Sequence, residues 1–541
     1  MPDSIKIPSL PETDGPKAAC ASLRFATITD LRAGLDAGLF TSKHLTDTYM
    51  ARIREVNDIL RPVSQLSSNA TSTAELLDAE LAAGKRRGPL HGIPVLIKDM
   101  INTTDDMHSS AGCTGLVDAR PRSEATVVSK LREAGAIIMG KATTSQWAKC
   151  RSEHSAPNGW SPTTGQCLGV FCDNQDPSGS SSGSAVAMSL GLAAVTLGTE
   201  TQGSIITPSS WGAVVGFKPT VGVVSRHGIY IVSRLQDSVG VIGASVMDVA
   251  MVLNVIAGPD EKDNFTIKDT RDTERIERPL DYTTACAQGN LVGLRIGVPR
   301  HVFPPIVFRN QQLDGAVSVL ANLGATIVDD VKFSEFYEEF YDDLDDEWHL
   351  SFLTDLRDNM KDFLASFETN PHDLHTLADL IKYTAETPTE MATEYGMDMW
   401  QQAEKVGQEN SPDSAAVKAS RERRRHMQNQ IPELLDKYSC DLLVLPGATQ
   451  ITAELGGCPV LLVPLACYPE GHPVSRNRFG RVETGPGVPF GIEFVGRRHS
   501  DLALLRAGHA FEQATAARRK IMPVMEPKTE LWDGEATSGI I

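Results

Sequence analysis

An amphipathic helix, one glycine and a short apolar run follow one another twice in this chain, and that order narrows its fold more than any other feature. Residues 127–134 carry helical spacing, Gly135 ends the helix, and Ala136, Ile137, Ile138 and Met139 follow as a strand. Residues 316–323, Gly324 and residues 325–328 repeat the arrangement. Glycine just past a helix end takes the left-handed cap that other residues avoid. Further apolar runs at 93–97, 294–298, 442–445, 460–463 and 490–494 read as strands. Leu45, Tyr49, Ile53 and Val56 place a helix after Thr41, and another is expected over 501–514. Apolar strands alternating with amphipathic helices predict an α/β fold around a largely buried sheet.

The charge balance narrows the partners. Lys plus Arg number 51 against 69 Asp plus Glu, a net charge of −18 over 541 residues. Nucleic acid and anionic membrane surfaces need a basic footprint, so neither is expected as a main partner. The nine cysteines hold no CxxC pair, which predicts neither a zinc ribbon nor a redox pair and fits a reducing compartment. The first residues lack a basic stretch followed by an apolar core, so the expected location is cytoplasmic. The sequons at Asn69, Asn102 and Asn264 then read as chance matches. Residues 185–198 are too short and too polar to span a bilayer. His372 and His375 have no third ligand nearby, and no metal or cofactor is expected. The run 329–347 holds ten acidic residues, with Phe333, Phe336, Tyr337, Phe340, Tyr341 and Leu344 on one helical stripe. It reads as a surface helix with an aromatic core face, or as one wall of a substrate channel.

Three segments carry chemistry. In the first, Lys98 ends the apolar run 93–97. A buried lysine has its pKa lowered by desolvation and can then act as a base. In the second, a Gly/Ser run over 176–185 enters an Ala/Val/Leu-rich helical segment, which argues against a flexible linker. Gly179-Ser180-Ser181-Ser182-Gly183 formally fits the G-x-S-x-G elbow, but that elbow needs a strand before it and 171–177 is a poor one. In the third, small residues surround Ser204, so that backbone N–H groups could converge on a carbonyl oxygen as an oxyanion hole does.

Together with Val215 to Gly222 and Gln236 to Gly240, these motifs stand in the order and spacing of the amidase signature family of serine hydrolases, which the sequence resembles over roughly residues 27–518. Gly159-Trp160-Ser161, Gly165-Gln166 and the Thr-Glu-Thr at 199–201 look most like the peptide-amidase-like branch. The resemblance implies one large domain with a central mixed sheet covered by helices, with a catalytic core about 85–260, a loose lead-in over 1–26 and a tail over 519–541. It implies a Ser–Ser–Lys triad in which Ser204 is the nucleophile, Ser180 (held in a cis peptide in this family) the relay, and Lys98 the base. The N–H groups of Thr201, Gln202, Gly203 and Ser204 match the oxyanion segment, and Ser181 and Asp237 look like supporting partners. The expected activity is hydrolysis of a small-molecule carboxamide, non-peptide or C-terminal, through an acyl-enzyme.

The chain departs from the family pattern. Ser178 and Ser182 replace two glycines, Gln202 replaces a usual Gly or Asp, Ile206 replaces a frequent Arg, and the loop near 447–457 is short. Those changes keep three other readings open: a lapsed amidase acting as a binding or scaffold protein, the amidating component of a transamidation complex, and an α/β-hydrolase using Ser181. A homo-oligomer is compatible with the sequence, which does not name the amide.

Overall fold

The computed structural model describes residues 17, 20–152, 156–268, 278, 279, 281–333, 346–447, 453 and 456–533. Eleven strands form one sheet: β1 (Val63–Leu66), β2 (Pro94–Lys98), β3 (Ile137–Ala142), β4 (Val195–Glu200), β5 (Val215–Lys218), β6 (Ser238–Gly243), β7 (Arg295–Val298), β8 (Thr326–Asp329), β9 (Leu442–Pro446), β10 (Val460–Cys467) and β11 (Pro489–Gly496). Their order is β1-β3-β2-β4-β6-β5-β10-β11-β9-β7-β8. Strand β2 runs parallel to β3 and β4, and β7 runs parallel to β8 and β9. The other neighbours are antiparallel, so the sheet is mixed, as the resemblance implied.

Helices cover both faces. Those used below are α1 (Ser42–Leu60), α2 (Thr126–Glu133), α3 (Ser182–Ser189), α4 (Ile206–Trp211), α5 (Val307–Asn322), α6 (Asp346–Ala365), α7 (Leu377–Glu386), α8 (Asp398–Glu409), α9 (Ala415–Gln428) and α10 (Asp501–Thr515). Thr41 caps α1 by accepting the His44 N–H, and the helix buries Leu45, Tyr49, Ile53 and Val56 as their spacing predicts. Gly135 and Gly324 close α2 and α5 with φ of 84° and 100°. Strand alternation divides two cores. Leu442 and Val444 of β9, with Leu461 and Val463 of β10, pack in one. Leu443 and Leu445, with Val460 and Leu462, pack in the other.

One expectation needs correction. The apolar stretch over 185–198 is not one helical segment: α3 ends at Ser189 and β4 begins at Val195. Gly191 turns the chain between them with φ 60°, where a Cβ would lie 2.4 Å from the Arg24 Cα. The acidic aromatic stripe falls mostly on residues 334–345, outside the described residues.

A third core stands apart from the sheet. Helices α6 to α9 lie between β8 and β9 in sequence, and α6, α7 and α8 pack over the sheet's catalytic end. Leu356, Met360, Leu380 and Trp400 close on Met100, Trp147 and Tyr230. Trp147 meets Tyr230 and Trp400 edge-on at 5.2 and 5.6 Å.

Candidate active site

Lys98 is the last residue of β2, at the carboxyl end of three parallel strands, where open α/β sheets hold their ligands. The side chain is fully buried. Its Nζ donates to Ser180 Oγ at 2.8 Å, to Thr199 Oγ1 at 3.0 Å and to the Thr199 carbonyl at 3.1 Å. Burial pushes its pKa down from 10.5 to about 7, against the opposing fields of the Glu200 and Asp237 carboxylates. The amine is therefore largely uncharged just above neutral pH. Cys150 also faces Lys98 and Asp237, but burial pushes its thiol up to about 12, so it is a neutral neighbour.

Ser180 sits just before α3, after a cis Gly179–Ser180 peptide. Its carbonyl accepts the Ser145 N–H at 3.0 Å and the Thr144 hydroxyl at 3.2 Å. The preceding loop is tied down by Asp176, which accepts the Ser178 N–H and the amides of Asn158 and Asn477. No strand precedes Ser181 among the described residues, so the G-x-S-x-G elbow lacks the context it needs. The Ser181 N–H instead donates to the Ser204 carbonyl at 3.0 Å and joins the two serine loops. Its hydroxyl donates to the Thr199 carbonyl at 3.2 Å and accepts the Thr199 N–H at 3.3 Å. Gly198 makes room, since a Cβ there would lie 2.8 Å from Ser181 Oγ.

Ser204 is 8% exposed, against 0% for Lys98 and 1% for Ser180, so of these three it is the most open to an incoming molecule. Thr201, Gln202, Gly203 and Ser204 form the turn from β4 into α4. Glu200 accepts the N–H groups of Ile205 at 2.6 Å and Ile206 at 2.9 Å, which fixes the far end of that turn. Its carboxylate also takes the Gly203 N–H. Asp237 fixes the near end. It accepts the Thr201 side chain together with the Val232 N–H at 2.6 Å and the Ser233 N–H at 3.2 Å. The structure thus brings Lys98, Ser180, Ser181, residues 201–204 and Asp237 into one site.

Sequence reasoning missed three contributors. Thr199 holds Lys98 and could be suspected only from its place beside the Glu200 motif. Met100 packs its sulfur 3.1 Å from Thr199 Oγ1. Arg424 of α9 is 1% exposed and donates to Gln236 Oε1 and, at 3.4 Å, to Ser233 Oγ. It thereby ties the helical layer to the turn that carries Asp237.

The family model named Amidase matches residues 44–505, and the chain belongs to that family. It is a hydrolase of the amidase signature class, acting on carbon–nitrogen bonds. The structure resembles that of native peptide amidase from Stenotrophomonas maltophilia, with a TM-score of 0.82 and 31% identity over 93% of this chain and 100% of that one. An amidase family protein from Bacillus anthracis str. Ames gives a TM-score of 0.78 at 28% identity, covering 93% and 92%. A relative from Arthroderma benhamiae that bears an amidase name is 38% identical over 94% of this chain and 88% of its own. Among the described residues no helix is long and apolar enough to cross a membrane.

Proposed function

We propose that the protein hydrolyses a small carboxamide, either a non-peptide amide or a C-terminal amide, through an acyl-enzyme on Ser204. The observation that carries this reading is the 2.8 Å contact between a fully buried Lys98 amine and Ser180 Oγ. A serine hydroxyl is a weak nucleophile until a base takes its proton. The uncharged Lys98 amine takes the Ser180 proton as Ser180 takes that of Ser204, and Ser204 Oγ attacks the amide carbon. Backbone N–H groups of the 201–204 turn receive the oxyanion. That of Gly203 is already directed at Glu200, which puts Thr201, Gln202 and Ser204 ahead of it. One such donor contributes roughly 3–4 kcal/mol to the transition state. The proton returns through Ser180 to the leaving nitrogen, and water then enters and releases the acid by the same relay.

Labelling with a fluorophosphonate followed by peptide mapping tests the assignment. The adduct is expected on Ser204, and Ser204→Ala is expected to lose at least about 10⁴-fold in kcat while unfolding at the wild-type temperature. An adduct on Ser181 would move the nucleophile, and none on folded protein would favour the lapsed-enzyme reading. A glutamyl-tRNA(Gln) amidotransferase component from Chloroflexus aurantiacus is 37% identical, but over only 57% of this chain and 60% of its own. The full-length likeness to peptide amidase therefore supports the stand-alone hydrolase over the transamidation reading, and a glutaminase assay separates the two.

A further inference from the structure

On the β10 side of the molecule, α5, α10 and the end of β10 enclose a groove of about 760 Å³ that the catalytic reading does not use. Its volume falls in the range of small-molecule sites. The walls are Phe308, Val319 and Leu323 from α5 and its C-cap, Leu465 from β10 and Phe511 from α10, with Ile521 at one end. Among the described residues Lys520 is the single charged residue in the lining, and no carboxylate shares it. Its ammonium is exposed and uses one hydrogen on the Thr515 carbonyl at 2.9 Å. Arg519, also exposed, stands next to it.

Gly315 supplies an independent observation. It lies inside α5 and lines the groove, and a Cβ built on it meets nothing within 4 Å. Glycine inside a helix is destabilising relative to alanine. Packing within this chain does not call for it, because there is room for a side chain. What its missing side chain does is keep the groove open.

We propose that this groove binds a single-chain amphiphile with an anionic head, a free alkyl carboxylate, with the tail between α5 and α10 and the head on Lys520. Charge complementarity commits the occupant: an apolar trough with a cation at one end and no acid in its lining suits an alkyl anion. It disfavours an alkyl cation, and a neutral chain gains nothing from the lysine. The inference does not depend on the hydrolase reading.

Cys467 lines the groove and is partly exposed, so its alkylation reports occupancy directly. Dodecanoate, titrated below its micellar concentration into the full-length protein, is expected to slow iodoacetamide labelling of Cys467 saturably, by about tenfold or more. Labelling of the partly exposed Cys172, outside the groove lining, stays unchanged. Tetradecanoate should bind about tenfold more tightly, at roughly fourfold per added methylene. Dodecyltrimethylammonium should not protect. Gly315→Leu fills the trough with a better helix former and should weaken binding at least tenfold. Val319→Glu sets a carboxylate against the head group and is the second variant if the first unfolds. Unsaturable or absent protection of Cys467, or protection that survives either folded variant, overturns the proposal.

Discussion

At Lys98 one burial has two consequences, for catalysis and for stability. With its pKa near 7, the amine becomes a competent base as pH rises through neutrality, so kcat/KM should climb with an apparent pKa close to that value. In Lys98→Met that rise should vanish along with activity. The same shift acts on folding. The unfolded lysine titrates near 10.5, so between about 7 and 10.5 the unfolded state holds more protons, and wild-type stability increases with pH. Below about 7 the penalty is constant. Lys98→Met should therefore be more stable than wild type at pH 7, by an amount of order a few kcal/mol set against the lost bonds to Ser180 and Thr199. The gap should close toward pH 10.5. Urea titrations across that range measure it, and a gap independent of pH would mean that the lysine is not desolvated.

Among the elements, the helical layer α6 to α9 is where sequence and site connect least visibly. Arg424 reaches the turn bearing Asp237, and Asp237 accepts the Thr201 side chain in the oxyanion turn. Arg424→Gln is expected to lower kcat about tenfold with KM nearly unchanged, and Arg424→Lys to recover part of it. Equal losses in both parameters would assign Arg424 to substrate binding instead. Trp400→Ala in α8 empties the centre of the third core and should cost about 3–5 kcal/mol in urea unfolding. The outer strands β7 to β11 were legible because each is a compact apolar run. The inner strands β4 and β6 were not. β4 ends in Gly198, Thr199 and Glu200 and lies behind an apolar helix with no polar break, so periodicity merges the two. The two serines and the lysine were legible from local motifs. Arg424 was not, because its partners lie nearly two hundred residues away and only the tertiary fold brings them together.

For the molecule as a whole, two buried carboxyls oppose the trend that Lys98 sets. Burial pushes Asp248 up to about 7 and Glu512 up to about 8. Both favour the protonated folded state, so their contribution is complete below the ordinary carboxylate range and is lost as pH rises through about 7 to 8. Asp248→Asn should stabilise the protein more at pH 8 than at pH 4. The difference between the two gains cancels any pH-independent cost of the new amide, and equal gains would refute the shift. The catalytic groups all lie between residues 98 and 237, whereas the layer over them enters from residues 346–428, between β8 and β9 near the far edge of the sheet. Chemistry and covering wall are thus inherited as separate stretches of chain. Recombination at the exposed junctions near Asp330 and Asp441 would exchange a whole wall while leaving the lysine, both serines and the oxyanion turn in their original reading frame.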